Sequence, residues 1–593
     1  MNSHAAISNQ ASAKVLVQSA LKSELAGDNQ QRHAELRQAL AQSPDVPSAH
    51  WQSGQVRVGK SWETPTEVNQ SAKRDRRLAE YRSKRDAAGN SAADQAALAR
   101  WCRAKGLVEQ QRAHWWQVLQ LQPNNLEAIQ ALGLQPQQGM LATREQVQKI
   151  RLVKQATERW RPWVAKWRRA AERRDPPTTT LKQRIANISD SEEMLGLERA
   201  IWQQVGADRN KRLYREMLLS LMQMLRDNPY PAAAESQVRH AVLCDSADVR
   251  TAAIEGLKRH PLDHYVPLLL SVLQSPIEAN TQYAVDAMGH LIARRSIYRE
   301  GALADFSVSL TLSPQASRPA VILTNAPALV GLVAAAQQLN LADSQVQAAR
   351  DAAAMRDQVA QVNRAIEARN AHVLAALTGT TNLDLGSEPT KWWTWWWRDY
   401  NESYSLDTKP RYDYQAQQSY VAVDSGDQLL ASATYMTPLE CFASSTKVWT
   451  LTGLQPIEQV KVGDLVLAQA VESGELAYKA VLAVTVRKPG PRMQLRLGGE
   501  TVVTTPGHPF WVAGQGWRVC KQLEVGKRLH SLSGAVRIEG VEKLETDPTY
   551  AGYAYNLILD GFHGYFVGAR GILVHDNTPR KPTAALLPGL PPD

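Results

Sequence analysis

From residue 1 to about residue 300, the apolar positions recur at helical spacing. Ala34, Leu36, Ala39 and Leu40 form one stripe, the breaker Ser43-Pro44-Asp45 ends it, and Ala49 and Trp51 open the next. The same syntax returns in Ala113, Trp116, Val118 and Leu119, then Pro123 and Asn125, then Ala128 and Leu132-Gly133. A stripe at i, i+3, i+4, a proline-containing turn and a second stripe predict a helical hairpin. Between 235 and 295, Asp248-Val249-Arg250 precedes Ala252, Ala253 and Leu257, and then come Pro267, Leu268, Leu269, Leu270, Leu273, Ala284, Ala287 and Met288. This pattern predicts stacked helix pairs. Residues 306–313 alternate as a short strand does, and 328–377 predict one long helix or a helical hairpin whose Ala, Gln, Arg and Asp suit a solvent-exposed stalk. A Gly/Thr/Asp/Pro loop over 378–389 breaks that helix.

After residue 440 the texture changes. Val448, Leu451, Ile457, Val460, Val462, Leu465 and Val466 fall in short runs divided by Gly453, Gly463 and Gly474, the style of an all-β unit. The expected fold is therefore multidomain, with an all-α, solenoid-like N-terminal region and an all-β domain at the C-terminus. The first hairpins loosely resemble tetratricopeptide repeats and the 235–295 pattern resembles HEAT repeats. The expected divisions are a TPR-like region over 1–140, HEAT-like repeats over 141–300, a stalk over 301–390, a Trp-rich linker over 391–440, the β domain over 441–577 and a disordered Pro-rich tail over 578–593. A repeat array of this kind either offers a concave face to a protein partner or serves as a spacer.

Charge and cysteine usage narrow the function classes. The net charge of +10 gathers before residue 180, and over 159–174 Trp160, Trp163 and Trp167 interleave with Arg161, Lys166, Arg168, Arg169, Arg173 and Arg174. This predicts a helix with Trp inward and a solvated basic face; the rival is a surface for RNA or phosphate, and a nucleic-acid partner is not expected. The Trp residues between 392 and 397 are read as a patch docking the linker on a neighbouring domain, with a stacking platform for sugars or bases as the rival. Cys102, Cys244, Cys441 and Cys520 form no CxxC pair, so neither a zinc site nor a disulfide scaffold is expected, and Cys102, Cys244 and Cys520 read as core. The start of the chain lacks the apolar segment of a signal peptide, and no apolar run is long enough to span a membrane. A cytoplasmic location and export by a leaderless route both remain open.

The chemistry lies in the β domain. Cys441-Phe442-Ala443, Thr446-Lys447-Val448-Trp449-Thr450, Gly453-Leu454-Gln455-Pro456-Ile457-Glu458 and Val462-Gly463-Asp464-Leu465-Val466 are followed by Thr504-Thr505-Pro506-Gly507-His508-Pro509-Phe510. Tyr555-Asn556-Leu557, Phe562-His563-Gly564-Tyr565-Phe566-Val567-Gly568 and Gly571-Ile572-Leu573-Val574-His575-Asp576-Asn577 close the series. These blocks resemble, in order and spacing, the Hint (hedgehog/intein) domain of the bacterial pretoxin or polymorphic-toxin type. The resemblance covers the last quarter of the chain and carries no information about residues 1–440. It implies a domain that attacks its own backbone: the Cys441 thiol moves the Glu440 acyl group from nitrogen to sulfur, Thr505 distorts the scissile peptide, and His508 handles the proton. The resulting thioester is cleaved by water or transferred. Moving an acyl group off an amide is uphill in a relaxed chain, so the site must supply a positioned nucleophile, donors for the oxyanion and an acid for the leaving amine.

The resemblance further implies that Asn577 cyclises on its own carbonyl, with Thr578 receiving the acyl group in splicing. Here Asp576 stands where a penultimate His is usual, and His575 is displaced by one. Adjacent side chains of an extended segment face opposite ways, so His575 is expected to point away unless the backbone bulges. His563 is expected to assist, and Asn556 stands where inteins often carry Asp. The function expected is single-turnover self-processing with the chain itself as substrate, without metal or organic cofactor. The alternative is a helical-repeat binding scaffold with a degenerate, inactive Hint domain.

Overall fold

The computed structural model describes residues 2–137, 140–206, 211–285, 291–301, 305–312, 327–400, 411–417, 440–487, 490–544, 552–578, 580 and 583–591. Its N-terminal region is helical and its C-terminal domain is all-β. The first helices, Asn2–Ala26, Asn29–Gln42 and Pro47–Gln52, are followed by Pro65–Arg74, Arg76–Ala87, Ala92–Ala104, Val108–Leu121 and Leu126–Leu132. Local signals set their ends. Asp28, Ser91 and Asn125 cap three N-termini with their side chains, Thr64 and Glu67 form a reciprocal capping box, and Gly133 closes Leu126–Leu132 at φ 68°, in the left-handed region. Breakers at the expected places thus give paired helices at both stretches with the repeated syntax.

A second helical body begins with Arg144–Glu172. Trp160, Val164 and Trp167 are buried while Arg161, Arg168 and Arg173 face outward, so the Trp-inward arrangement holds for this helix. The following helices, from Thr179–Ala186 to Leu262–Val272, share one apolar core with it. Beyond them the structure departs from the stacked-helix expectation. Residues Glu278–Val285 and Leu291–Arg299 are antiparallel strands, joined by Asp305–Leu312 and then by Arg411–Gln417 in parallel. Two physical features redirect the chain. Pro276 prevents continuation of the helix, and Asn370 and Asn363 of the helix Pro327–Thr381 grip the extended segment. Asn370 Nδ2 donates to the Gln274 carbonyl (2.6 Å) and Asn363 Nδ2 to that of Ile277 (2.9 Å), while each side-chain oxygen accepts the backbone N–H of the same residue. Ala287 and Met288 lie outside the described residues.

The long helix is not a solvated stalk over its whole length. Val373, Ala376 and Leu377 are buried in the helical core, because its C-terminal end carries the apolar stripe that its earlier turns dilute. Trp392, Trp393 and Trp396 enter the same core at 0–1% exposure, which denies those three rings to an external sugar or base. Trp396 stacks on Tyr400 with ring centroids 4.8 Å apart.

The β domain forms one 14-stranded sheet among the described residues, curled so that several strands pair with more than two neighbours. Its core comprises Val448, Val466, Leu495, Phe510, Leu529, Ile538, Leu557 and Tyr565. The short strand Phe442–Ala443 sits between Glu500–Thr504 and Ala554–Leu559, which fixes the start of the domain in its interior. The hairpin of Gly564–Val567 and Ile572–His575, buried on both faces, brings the other end to the same place.

The tail corrects a second expectation. Residues 583–591 are docked: the Leu586 carbonyl accepts from the Gly514 N–H, the Gly589 N–H donates to the Val471 carbonyl, and Leu587 and Leu590 are buried. Proline content signalled the lack of regular structure, yet the two leucines supply enough apolar surface to anchor the segment against Trp511 and the first helices. Gln52 donates a 2.8 Å hydrogen bond to the Pro588 carbonyl. Pro579, Lys581, Pro582 and Pro592 lie outside the described residues. No helix among those described is long and apolar enough to cross a membrane.

Candidate active site

The two ends of the β domain meet at the peptide between Glu440 and Cys441. Strand pairing holds Cys441 first. Its carbonyl accepts from the Thr505 N–H (2.9 Å) and from Thr504 Oγ1 (3.0 Å), and its own N–H donates to Thr505 Oγ1 at 3.0 Å. The Thr505 hydroxyl in turn donates to the Glu440 carboxylate at 2.9 Å, so one side chain spans both sides of the peptide. The Glu440 carbonyl accepts from Asn556 Nδ2 at 2.7 Å. The orientation of that amide is fixed from behind, because Tyr565 Oη donates to Asn556 Oδ1 at 2.5 Å and the Leu557 N–H donates to the same oxygen at 2.8 Å.

Cys441 is fully buried, and burial pushes its thiol up to about 12, with Arg487, Arg492 and the Asn577 amide pulling weakly the other way. His508 is fully buried beside it in the fold, its ring 4.0 Å from that of Phe442. The ring faces the Glu440 backbone. Burial, aided by repulsion from His575, holds the imidazole well below its ordinary pKa and therefore neutral; the Glu440 backbone offsets part of that fall.

At the far end, Asn577 reaches into the same site. Its Oδ1 accepts from the Glu440 N–H at 3.1 Å and its Nδ2 donates to Thr485 Oγ1 at 2.6 Å. Thr485 donates in turn to the Asn556 carbonyl at 3.1 Å, linking the two asparagines. His575 is buried, with Nδ1 2.7 Å from the Asp576 carbonyl and its ring edge-on to Trp517 at 4.9 Å. Burial lowers it to about 4. His563 Nδ1 instead lies 3.0 Å from the Thr578 hydroxyl. That hydroxyl donates to Asp576 Oδ1 at 2.5 Å, and the Asp576 carboxylate also takes the N–H groups of Thr578 and Leu559. Asp576 thus organises the turn around Thr578.

Residues 447–577 match the pretoxin HINT domain family. The chain is similar to the solution structure of a bacterial intein-like domain from Clostridium thermocellum, at 36% identity over 23% of this chain and 99% of that one, with a TM-score of 0.23. The chain belongs to the Hint family through its C-terminal domain. The Hint domain is also similar to a DnaB intein from Synechocystis sp. PCC 6803 (17% identity, 24% of this chain, 100% of that one, TM-score 0.21) and to the gp41-1 intein (22%, 23%, 99%, TM-score 0.20). No curated protein matches this chain.

Of the residues singled out in the sequence, the Hint domain brings Glu440, Cys441, Thr505, His508 and Asn577 to one peptide, and His563 and Thr578 to a second point beside Asp576. His575 stands apart from Thr578; its nearest polar contact is the carbonyl of Asp576. Sequence reasoning missed the contacts of Asn556 and the contribution of Tyr565, Thr504 and Thr485. Asn556 was visible only as a departure from Asp; the signal that could have found its partner is the Tyr565 hydroxyl, a buried donor that needs an acceptor. Among the described residues no group of His, Cys, Asp and Glu is disposed to hold a metal ion.

Proposed function

We propose that the Hint domain cleaves or transfers its own chain at the Glu440–Cys441 peptide by an N-to-S acyl shift. The single observation that carries the reading is the reception of the Glu440 carbonyl by Asn556 Nδ2 at 2.7 Å, on a peptide whose N–H is held by Thr505. Cys441 Sγ attacks the Glu440 carbonyl carbon, the C–S bond forms, and the carbonyl oxygen takes up negative charge that Asn556 meets with a fixed donor. The C–N bond then breaks. The thiol proton moves to the departing Cys441 nitrogen, and His508 serves as its carrier: a neutral imidazole accepts at one nitrogen and returns from the other. A thioester between Glu440 and Cys441 results, which water, an added thiol or Thr578 can resolve.

The second step is ordered after the first. With Oδ1 on the Glu440 N–H and Nδ2 on Thr485, the Asn577 amide is engaged by the upstream junction and not turned on its own carbonyl. Movement of Glu440 during the first step removes one of those bonds and releases the amide for cyclisation. Thr578 is the acceptor favoured for splicing, because His563 and Asp576 bracket its hydroxyl. The test compares wild type, Cys441→Ala and Asn577→Ala on a denaturing gel after treatment with dithiothreitol. Wild type and Asn577→Ala should both yield 1–440 and 441–593 fragments, and Cys441→Ala should stay whole. Identical single bands in all three would favour the alternative, a helical binding scaffold with an inactive Hint domain.

A further inference from the structure

The first helices, as far as Val108–Leu121, lie on the outside of the Hint domain; the second helical body follows and touches that domain again where Lys521 lies over the Tyr400 ring. The first contact is apolar. Val17, Leu21 and Leu36 share a core cluster with Phe566 and Leu573 of the closing hairpin. Buried polar groups make it specific: Glu24 is wholly enclosed, 2.8 Å from Arg32 of the next helix and 2.6 Å from His530 Nδ1 of the Hint domain. An enclosed carboxylate is tolerated only when paired, so Glu24 depends on Arg32, and the contact to His530 ties that pair to the Hint domain. Asn29 makes two bonds with the backbone of Ala535, donating to its carbonyl and accepting from its N–H, each at 2.9 Å.

A second contact lies further along. Arg85 pairs with Asp464 at 2.5 Å, and Arg112 grips Asp560 with two nitrogens. The Hint surface is shaped to receive these helices. At Gly463 and Gly534, both at positive φ, a Cβ would run into Tyr81 and Asn29, so each turn is as thin as a backbone can be where a helix lies on it.

We propose that residues 1–121 remain seated on the Hint domain after scission, so that self-cleavage opens the chain without releasing it. The cut removes the covalent link at Glu440 and leaves in place the seat of residues 1–121, together with the smaller contact in which Lys521 lies over the Tyr400 ring. The surface described is the outer face of the Hint domain and its partner is the chain's own first 121 residues, held by apolar burial and by charge pairing. This depends on the reading above only for the cut itself.

The decisive experiment is size-exclusion chromatography of the cut protein in non-denaturing buffer at high salt. The 1–440 and 441–593 fragments should elute together and part only in denaturant; separate elution in native buffer would overturn the proposal. To keep this apart from failure of self-cleavage, Cys441→Ala carrying a specific protease site inserted within 418–439 is nicked with that protease and run in the same way. Co-elution there supports retention even if the thiol never cuts, and separation refutes it. Arg112→Glu should speed dissociation of the nicked halves by about tenfold, and Arg112→Glu with Asp560→Arg should reverse the change. An unchanged rate in Arg112→Glu would remove this face from the interface.

Discussion

The Asn556 amide is the residue on which the proposed chemistry turns, because its donor is aimed before any charge develops. A preorganised donor of this kind contributes far more in a water-free site than it would in solution. Asn556→Ala is expected to slow the thiol-induced cut by about 10²–10³ without abolishing folding, measured as the rate of fragment appearance. Tyr565→Phe should slow it less, since the Leu557 N–H still restrains the amide. The thiol gives a pH signature. With its pKa pushed up to about 12 by burial, Cys441 is almost wholly protonated at neutral pH, and the thiolate is the stronger nucleophile. The rate should therefore rise about tenfold per pH unit between pH 7 and 9, where an ordinary surface thiol would already be levelling off. A plateau near pH 8.5 would contradict the burial argument. Stability runs in the opposite direction at alkaline pH, because the unfolded thiol ionises before the native one does.

The elements of the chain obey local signals where the signal is strong and long-range packing where it is weak. The helix start at Asn125 was legible because one side chain decides it. The strands over Glu278–Arg299 were not: their alanines suit a helix equally well, and the deciding groups, Asn363 and Asn370, sit some ninety residues away on another element. The docked tail was lost for a related reason, since proline content is local while the pocket for Leu587 and Leu590 is assembled by distant segments. Amide hydrogen exchange should show protection at Leu586, Gly589 and Leu590, all bonded to backbone carbonyls, and Leu587→Ala should erase it. In the helical core, Trp393→Ala is expected to destabilise by about 3–5 kcal/mol in a denaturant melt, because the enclosed ring leaves a cavity that neighbouring side chains cannot fill.

At the scale of the whole molecule, the linear motif names residues far apart in sequence, and the fold determines which of them touch. The blocks around Cys441, Thr505, His508 and Asn577 were readable because their residue types follow the motifs of the family in order and spacing. The contacts of Asn556 with Glu440 and of Asn577 with the upstream junction were not, since each needs a register set by the closing hairpin. Burial also couples the fold to acid. His575 is lowered to about 4 and His114 to about 4, chiefly by burial, and both are neutral when native. Their unfolded forms bind protons first, so stability is present above pH ~6.5 and is lost as pH falls from there toward 4, by about 1.4 kcal/mol per unit for each group. A melting series from pH 7 to 4 should show that decline. The most direct test of self-processing is the mass of the upstream product formed in hydroxylamine. The expected product is residues 1–440 ending in a hydroxamate on the Glu440 main-chain carbonyl, absent from Cys441→Ala. An intact chain, or a cut at any other peptide, would contradict it.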